Sequence, residues 1–157
     1  MISCKDRMEV GALLAELADF AMANDKRKCF PDWTRESVKN FLHLHLNQNT
    51  LLFVRVKGEV VGFVTWWRWN KDEIPDLDGD EIFLNPPPYR ADGDLIYISD
   101  VVTTIPDAMR SMGRELAKRN PDYGECEIWG TRQNKRTGKA ERVQYTKRLL
   151  DFINCED

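Results

Sequence analysis

Residues 95–102, LIYISDVV, form an apolar run interrupted by one carboxylate, Asp100. A threonine pair, Thr103 and Thr104, follows, and then a segment carrying Arg110, Arg114 and Lys118 at i, i+4 and i+8. A carboxylate late in a strand, ahead of a tight turn and a helix, is placed for acid–base chemistry at the strand end. The three cations share one helix face, which suits contact with an anionic cofactor or an acidic carrier protein, and equally a solvated surface. The turn argues against a phosphate cradle. Residues 103–107 contain no glycine, Pro106 lacks an amide donor, and Asp107 puts a negative charge at the helix start.

Other chemistry-bearing residues lead less far. His43 and His45 stand at i, i+2, which points them to different faces of a helix, whereas helical zinc ligands want i, i+4. The stretch DLDGDE at 76–81 has a calcium-loop look, but its glycine comes too early and Pro87 stands where the closing glutamate belongs. No metal is expected. There is no GxSxG elbow and no Walker loop. The basic segment TRQNKRTGKAERVQYTKR has one aromatic residue, Tyr145, too few for a stacking surface, so a nucleic-acid partner is not expected.

Charge is unevenly spread over a net of −3. Residues 70–107 hold ten acids against Lys71 and Arg90, and residues 132–148 hold seven bases against Glu141, giving two electrostatically distinct stretches. The acidic loop 72–81 suits a basic partner. The length of 157 residues fits a single domain, 1–157, with a core. No apolar run approaches the ~20 residues of a membrane span. Cys4, Cys29, Cys126 and Cys155 form no CxxC pair, and the first residues lack a basic region followed by an apolar stretch. Both features read as a cytoplasmic protein with reduced thiols.

The elements that must position these groups follow from periodicity. Residues 6–23 carry apolar side chains at helical spacing. Thr34 is expected to cap a second helix with Val38, Phe41, Leu42 and His45 on one face. Strands are expected at 50–56 and 59–68, joined at Lys57-Gly58, with the second apolar on both faces. A long polar loop spans 70–94, and a strand 95–102. A helix follows, capped by Thr104, with Ile105, Met109, Met112 and Leu116 toward the core and Pro121 ending it. ECEIWGTR reads as a short strand. The last element fits a strand at 140–146 and equally a helix placing Tyr145, Leu149, Phe152 and Ile153 on one side. The order predicts a mixed sheet in an α/β or α+β domain.

This order of elements resembles the GNAT acyltransferase superfamily. Within it the chain looks most like the toxin-activating lysine acyltransferases, from about Asn24 to Tyr145. The likeness is carried by Pro31 before the second helix, LLFVRVKGEVVGFVTWW, IYISDVV with its late Asp, a basic helix ending in Asn-Pro, and RQNKRTGKAERV. The resemblance implies a GNAT-like mixed β-sheet flanked by helices and transfer of an acyl group from acyl-CoA or an acyl-carrier protein to an amine such as a protein lysine. It implies Asp100 as acid or base and, as in many GNAT enzymes, a late tyrosine, Tyr145, as general acid if the last element is helical. It places Arg110, Arg114, Thr103 and Thr104 beside the cofactor or carrier. The family's catalytic His falls at Arg27 here, and a guanidinium is no base near neutral pH. The glycine-rich coenzyme A loop is absent. The alternative is a GNAT-like domain without catalysis, used for binding or assembly, of a kind bacteriophages encode.

Overall fold

The computed structural model describes residues 4–24, 34–74, 86–133, 136–137 and 140–145. Helices α1 (Cys4–Asn24) and α2 (Arg35–Asn47) precede a hairpin of β1 (Leu51–Val56) and β2 (Glu59–Trp69). Strand β3 (Leu95–Thr103), helix α3 (Pro106–Arg119), β4 (Glu127–Gln133) and β5 (Ala140–Tyr145) complete the order. The five strands form one sheet in the order β1-β2-β3-β4-β5, parallel only between β3 and β4. This is the mixed sheet flanked by helices that the sequence leads one to expect, and its last element is the strand rather than the helix.

Local chemistry sets the element ends. The Thr34 hydroxyl accepts from the Ser37 amide at 3.1 Å and caps α2 as expected. At the other end Asn49 adopts φ 59°, its amide donates to the Leu46 carbonyl, and the Thr50 amide donates to the His45 carbonyl. That is a Schellman ending with Asn in the left-handed position, and it aims the chain directly into β1. The hairpin turns at Lys57 (φ 53°) and Gly58 (φ 83°), both in the region a two-residue turn of this hand requires.

Two apolar layers cover the sheet. On one side Leu14, Leu17, Ala18 and Ala21 of α1 and Val38 and Leu42 of α2 pack on Leu51, Phe63 and Val102. Beside them Trp67, Trp69, Leu95 and Tyr97 form an aromatic extension that Phe41 touches. On the other side Met112 and Leu116 of α3 pack on Leu52, Val64, Trp66, Ile96 and Ile128.

The helix after β3 departs from expectation in two ways. Its N-cap is Ile105, with no side-chain cap; the Thr104 hydroxyl and amide both donate to the Val61 carbonyl instead, at 3.2 and 2.9 Å. Val61 is an extra residue in β2, since Val54 pairs with Gly62 but Arg55 pairs with Val60. A bulged residue leaves its carbonyl outside the regular ladder, and the threonine turn takes it up. Ile105 and Met109 do not reach the core; they are 36% and 45% exposed, while Met112 and Leu116 on the same stripe are buried. In the first turn of α3 only Ala108 turns inward, and Ile105 and Met109 lie beyond the buried surface.

At the opposite end of the sheet a buried guanidinium joins four segments. Arg68, 3% exposed, forks onto Asp122 with contacts of 3.1 and 2.9 Å, and also donates to Asn120 and to the Gly93 carbonyl. The hydrogen bonds from Arg68 hold the Asp122 carboxyl below its usual range. The 70–94 loop is tied at its base: the Lys71 amide donates to Asp94 at 2.8 Å, and Arg90 forks onto Glu73. The calcium-like stretch 76–81, and with it most of the acidic loop, lies outside the described residues.

Truncating either partner of the Arg68–Asp122 pair is expected to destabilise the fold unequally. Asp122→Ala strands a guanidinium that is almost wholly buried, at a cost of about 3–5 kcal/mol. Arg68→Met leaves a carboxylate whose side chain is 42% exposed and can hydrate, so its cost is smaller, about 1–3 kcal/mol. Urea unfolding of the two variants checks the order.

Candidate functional site

Asp100 lies on β3, between β2 and β4, and is fully buried. Its face is set by a second bulge. Thr65 pairs with Asp100 but Trp66 pairs with Ile98, so Ser99 is an extra residue in β3. Before the bulge, Ile96 and Ile98 belong to the α3 side and Leu95 and Tyr97 to the side of α1 and α2. After it, Val101 belongs to the α3 side and Val102 to the α1/α2 side. Ser99 and Asp100 therefore both face α1 and α2. The Ser99 and Thr65 hydroxyls meet there at 2.6 Å, both buried.

The strands part at the same place. The parallel ladder between β3 and β4 runs from Leu95–Glu127 to Ile98–Gly130 and ends, while β3 continues to Thr103 and β4 to Gln133. Across the start of the gap the Tyr97 hydroxyl meets the Thr131 hydroxyl at 2.6 Å. A seam of Thr65, Ser99, Asp100, Tyr97 and Thr131 thus lines the α1/α2 face where the sheet splits.

The other expected site residues lie apart from this seam. Tyr145 pairs with Ile128 and packs into the α3-side layer, so it stands on the opposite face of the sheet from Asp100. Its ring covers Gly130, where a Cβ would come within 2.5 Å of a ring carbon. Thr103 and Thr104 are turned to Val61, with the Thr103 hydroxyl 3.3 Å from its carbonyl and 2.8 Å from that of Ile105. Arg110 is exposed and Arg114 half-buried on α3, again across the sheet from Asp100. Arg27, the residue expected beside Asp100, is outside the described residues.

Neither of the chain's two histidines takes the missing partner's place. His43 is exposed on α2. His45 is fully buried, edge-on to Phe41 and Trp67 at 4.6 and 4.5 Å. Its Nδ1 lies 2.7 Å from the Thr50 hydroxyl, which is also 3.3 Å from the His45 carbonyl. Burial pushes its pKa from 6.5 to about 3, slightly offset by the Trp66 backbone, and no carboxylate contributes. It is a neutral packing residue. Among the described residues no group of His, Cys, Asp and Glu is arranged to hold a metal ion, and no helix is long and apolar enough to cross a membrane.

Comparison with models of known protein families finds no match. No curated protein matches the chain either.

The structural residues of this region were readable in part. The apolar run with its late carboxylate was visible. The bulge was not, because a strand buried on both faces shows no polar–apolar alternation for an added residue to shift.

Two outcomes are expected here. His45 binds a proton in the unfolded chain below pH 6.5 but not in the folded one until about pH 3, so its burial lowers stability as pH falls through that window. The slope is up to about 1.4 kcal/mol per pH unit. His45→Phe, which keeps an aromatic ring between Phe41 and Trp67, should remove that part of the slope in denaturation curves taken from pH 7 to pH 4. Gly130→Ala must displace the Tyr145 ring and should lower stability by about 1–3 kcal/mol, visible as a lower melting temperature.

Proposed function

We propose that the chain is an acyltransferase of GNAT-like fold that moves an acyl group from a thioester, on coenzyme A or an acyl-carrier protein, to an amine such as a protein lysine. The observation that carries this reading is the parting of β3 and β4 immediately before Asp100. It sets the one carboxylate of the central strand at the head of a gap between strands. In the proposed reaction the amine nitrogen forms a bond to the acyl carbon, the carbon–sulfur bond breaks, and the sulfur leaves as a thiolate. Asp100 takes the proton that the amine must lose. The exposed cations of α3 serve the carrier rather than the chemistry, being on the other face of the sheet.

A second reading is a GNAT-like domain that binds without catalysis. It is favoured by the two histidines, of which one is exposed and the other a neutral ring buried against Phe41 and Trp67, so that neither serves as a base beside Asp100.

Incubating the protein with acyl-CoA or acyl-carrier protein and lysine-bearing proteins of its host, with acylated products read by mass spectrometry, separates the two. Transfer by the wild type that falls about 10²–10⁴-fold in Asp100→Asn, with the melting curve still cooperative, supports the enzyme. No transfer from either donor sinks it. Free coenzyme A is expected to bind weakly, with a Kd on the order of 100 μM, about −5.5 kcal/mol, because α3 begins with Pro106 and Asp107 and without glycine. Calorimetric titration measures it, and a low-micromolar value would refute that reading of the turn.

A further inference from the structure

Regular alternation along β3 would carry the series Ile96, Ile98 on to residue 100 and turn Asp100 into the apolar layer beneath α3. The extra residue Ser99 prevents this, because it shifts the parity of everything after it. A bulge interrupts ladder hydrogen bonds, so something must hold it against a slip back to regular pairing. The Thr65 and Ser99 hydroxyls sit at that point, one on each strand, 2.6 Å apart and 0% and 4% exposed. A buried hydroxyl without a partner is destabilising, and each of these supplies the other's partner.

We propose that the Thr65–Ser99 hydroxyl pair is a positioning device for Asp100: it pins the β3 bulge and so keeps the carboxylate on the α1/α2 face, at the split between β3 and β4. Thr65 and Ser99 act through Asp100 rather than on substrate. The assignment rests on the reading of Asp100 as the acid–base group of acyl transfer, but its geometry is testable without any substrate.

The test uses the full chain with carboxyl-¹³C aspartate, the Asp100 resonance being identified by its loss in Asp100→Asn. In folded Thr65→Val and Ser99→Ala the Asp100 resonance should shift more than any other aspartate's, and in Thr65→Ser, which keeps the hydroxyl, it should stay in place. An Asp100 resonance unmoved in both Thr65→Val and Ser99→Ala overturns the proposal. So does a shift in Thr65→Ser as large as that in Thr65→Val. If Thr65→Val does not fold, Ser99→Ala, which deletes a single oxygen, decides alone. Acyl transfer is measured alongside. A wild type that transfers nothing while the resonance follows the expected pattern removes the chemistry and supports the pin. An active enzyme whose Asp100 resonance ignores the variants supports the chemistry and removes the pin.

Discussion

A guanidinium buried to 3% exposure must be surrounded by acceptors, and the need to supply them to Arg68 organises one end of this sheet. Asn120 comes from the end of α3, Asp122 from the turn beyond it, and the Gly93 carbonyl from the chain entering β3. The Cys126 sulfur, 3.5 Å away at the entry to β4, closes the group, and burial raises that thiol's pKa. The return of the crossover from α3 into β4 is thus tied to the chain entering β3. That tie matters because the parallel ladder itself is only four pairs long. With one end held, the other is able to open without loss of the sheet.

Where the two strands part, polarity is concentrated on one face. Toward α1 and α2 lie hydroxyls and a carboxylate; toward α3 lie methionine, leucine, isoleucine and tryptophan. Tyr145 belongs to the second group and closes over Gly130 as a packing side chain. At the split, Asp100 and its hydroxyl neighbours share the α1/α2 face, and the Tyr145 phenol lies on the other. A histidine relay has no counterpart among the described residues, since His45 is buried as a neutral ring between Phe41 and Trp67.

Much of this frame was legible in the residues themselves. Thr34 announced α2, Lys57-Gly58 the hairpin, and the apolar residues on both faces of 60–67 a strand covered on both faces. The strand through Asp100 and the helix behind it followed from the same patterns. What local pattern does not carry is where an element stops meeting its neighbour. Ile105 and Met109 have the right spacing to be core, but they lie upstream of the surface that buries Met112 and Leu116. Thr104 has the right chemistry for a cap, but the Val61 carbonyl, released by a bulge forty-three residues earlier, claims its hydroxyl. The face of Tyr145 depended on its pairing with Ile128, a tertiary fact.

The unequal spacing of the strands in the chain also has a consequence for the order in which the molecule assembles. The β1–β2 hairpin closes over Lys57 and Gly58 alone, whereas β3 must find β2 across residues 70–94. Loop-closure entropy makes the second step costlier by about 2 kcal/mol. Nucleation therefore belongs to the hairpin, where nearby pairing comes first, and docking of β3 is the late, non-local event. The clamps between Lys71 and Asp94 and between Glu73 and Arg90 shorten the effective span once they form. A carboxylate on the last central strand to dock stays hydrated through the early stages of folding, and it enters the interior only when a prepared strand, already carrying Thr65, is there to receive it.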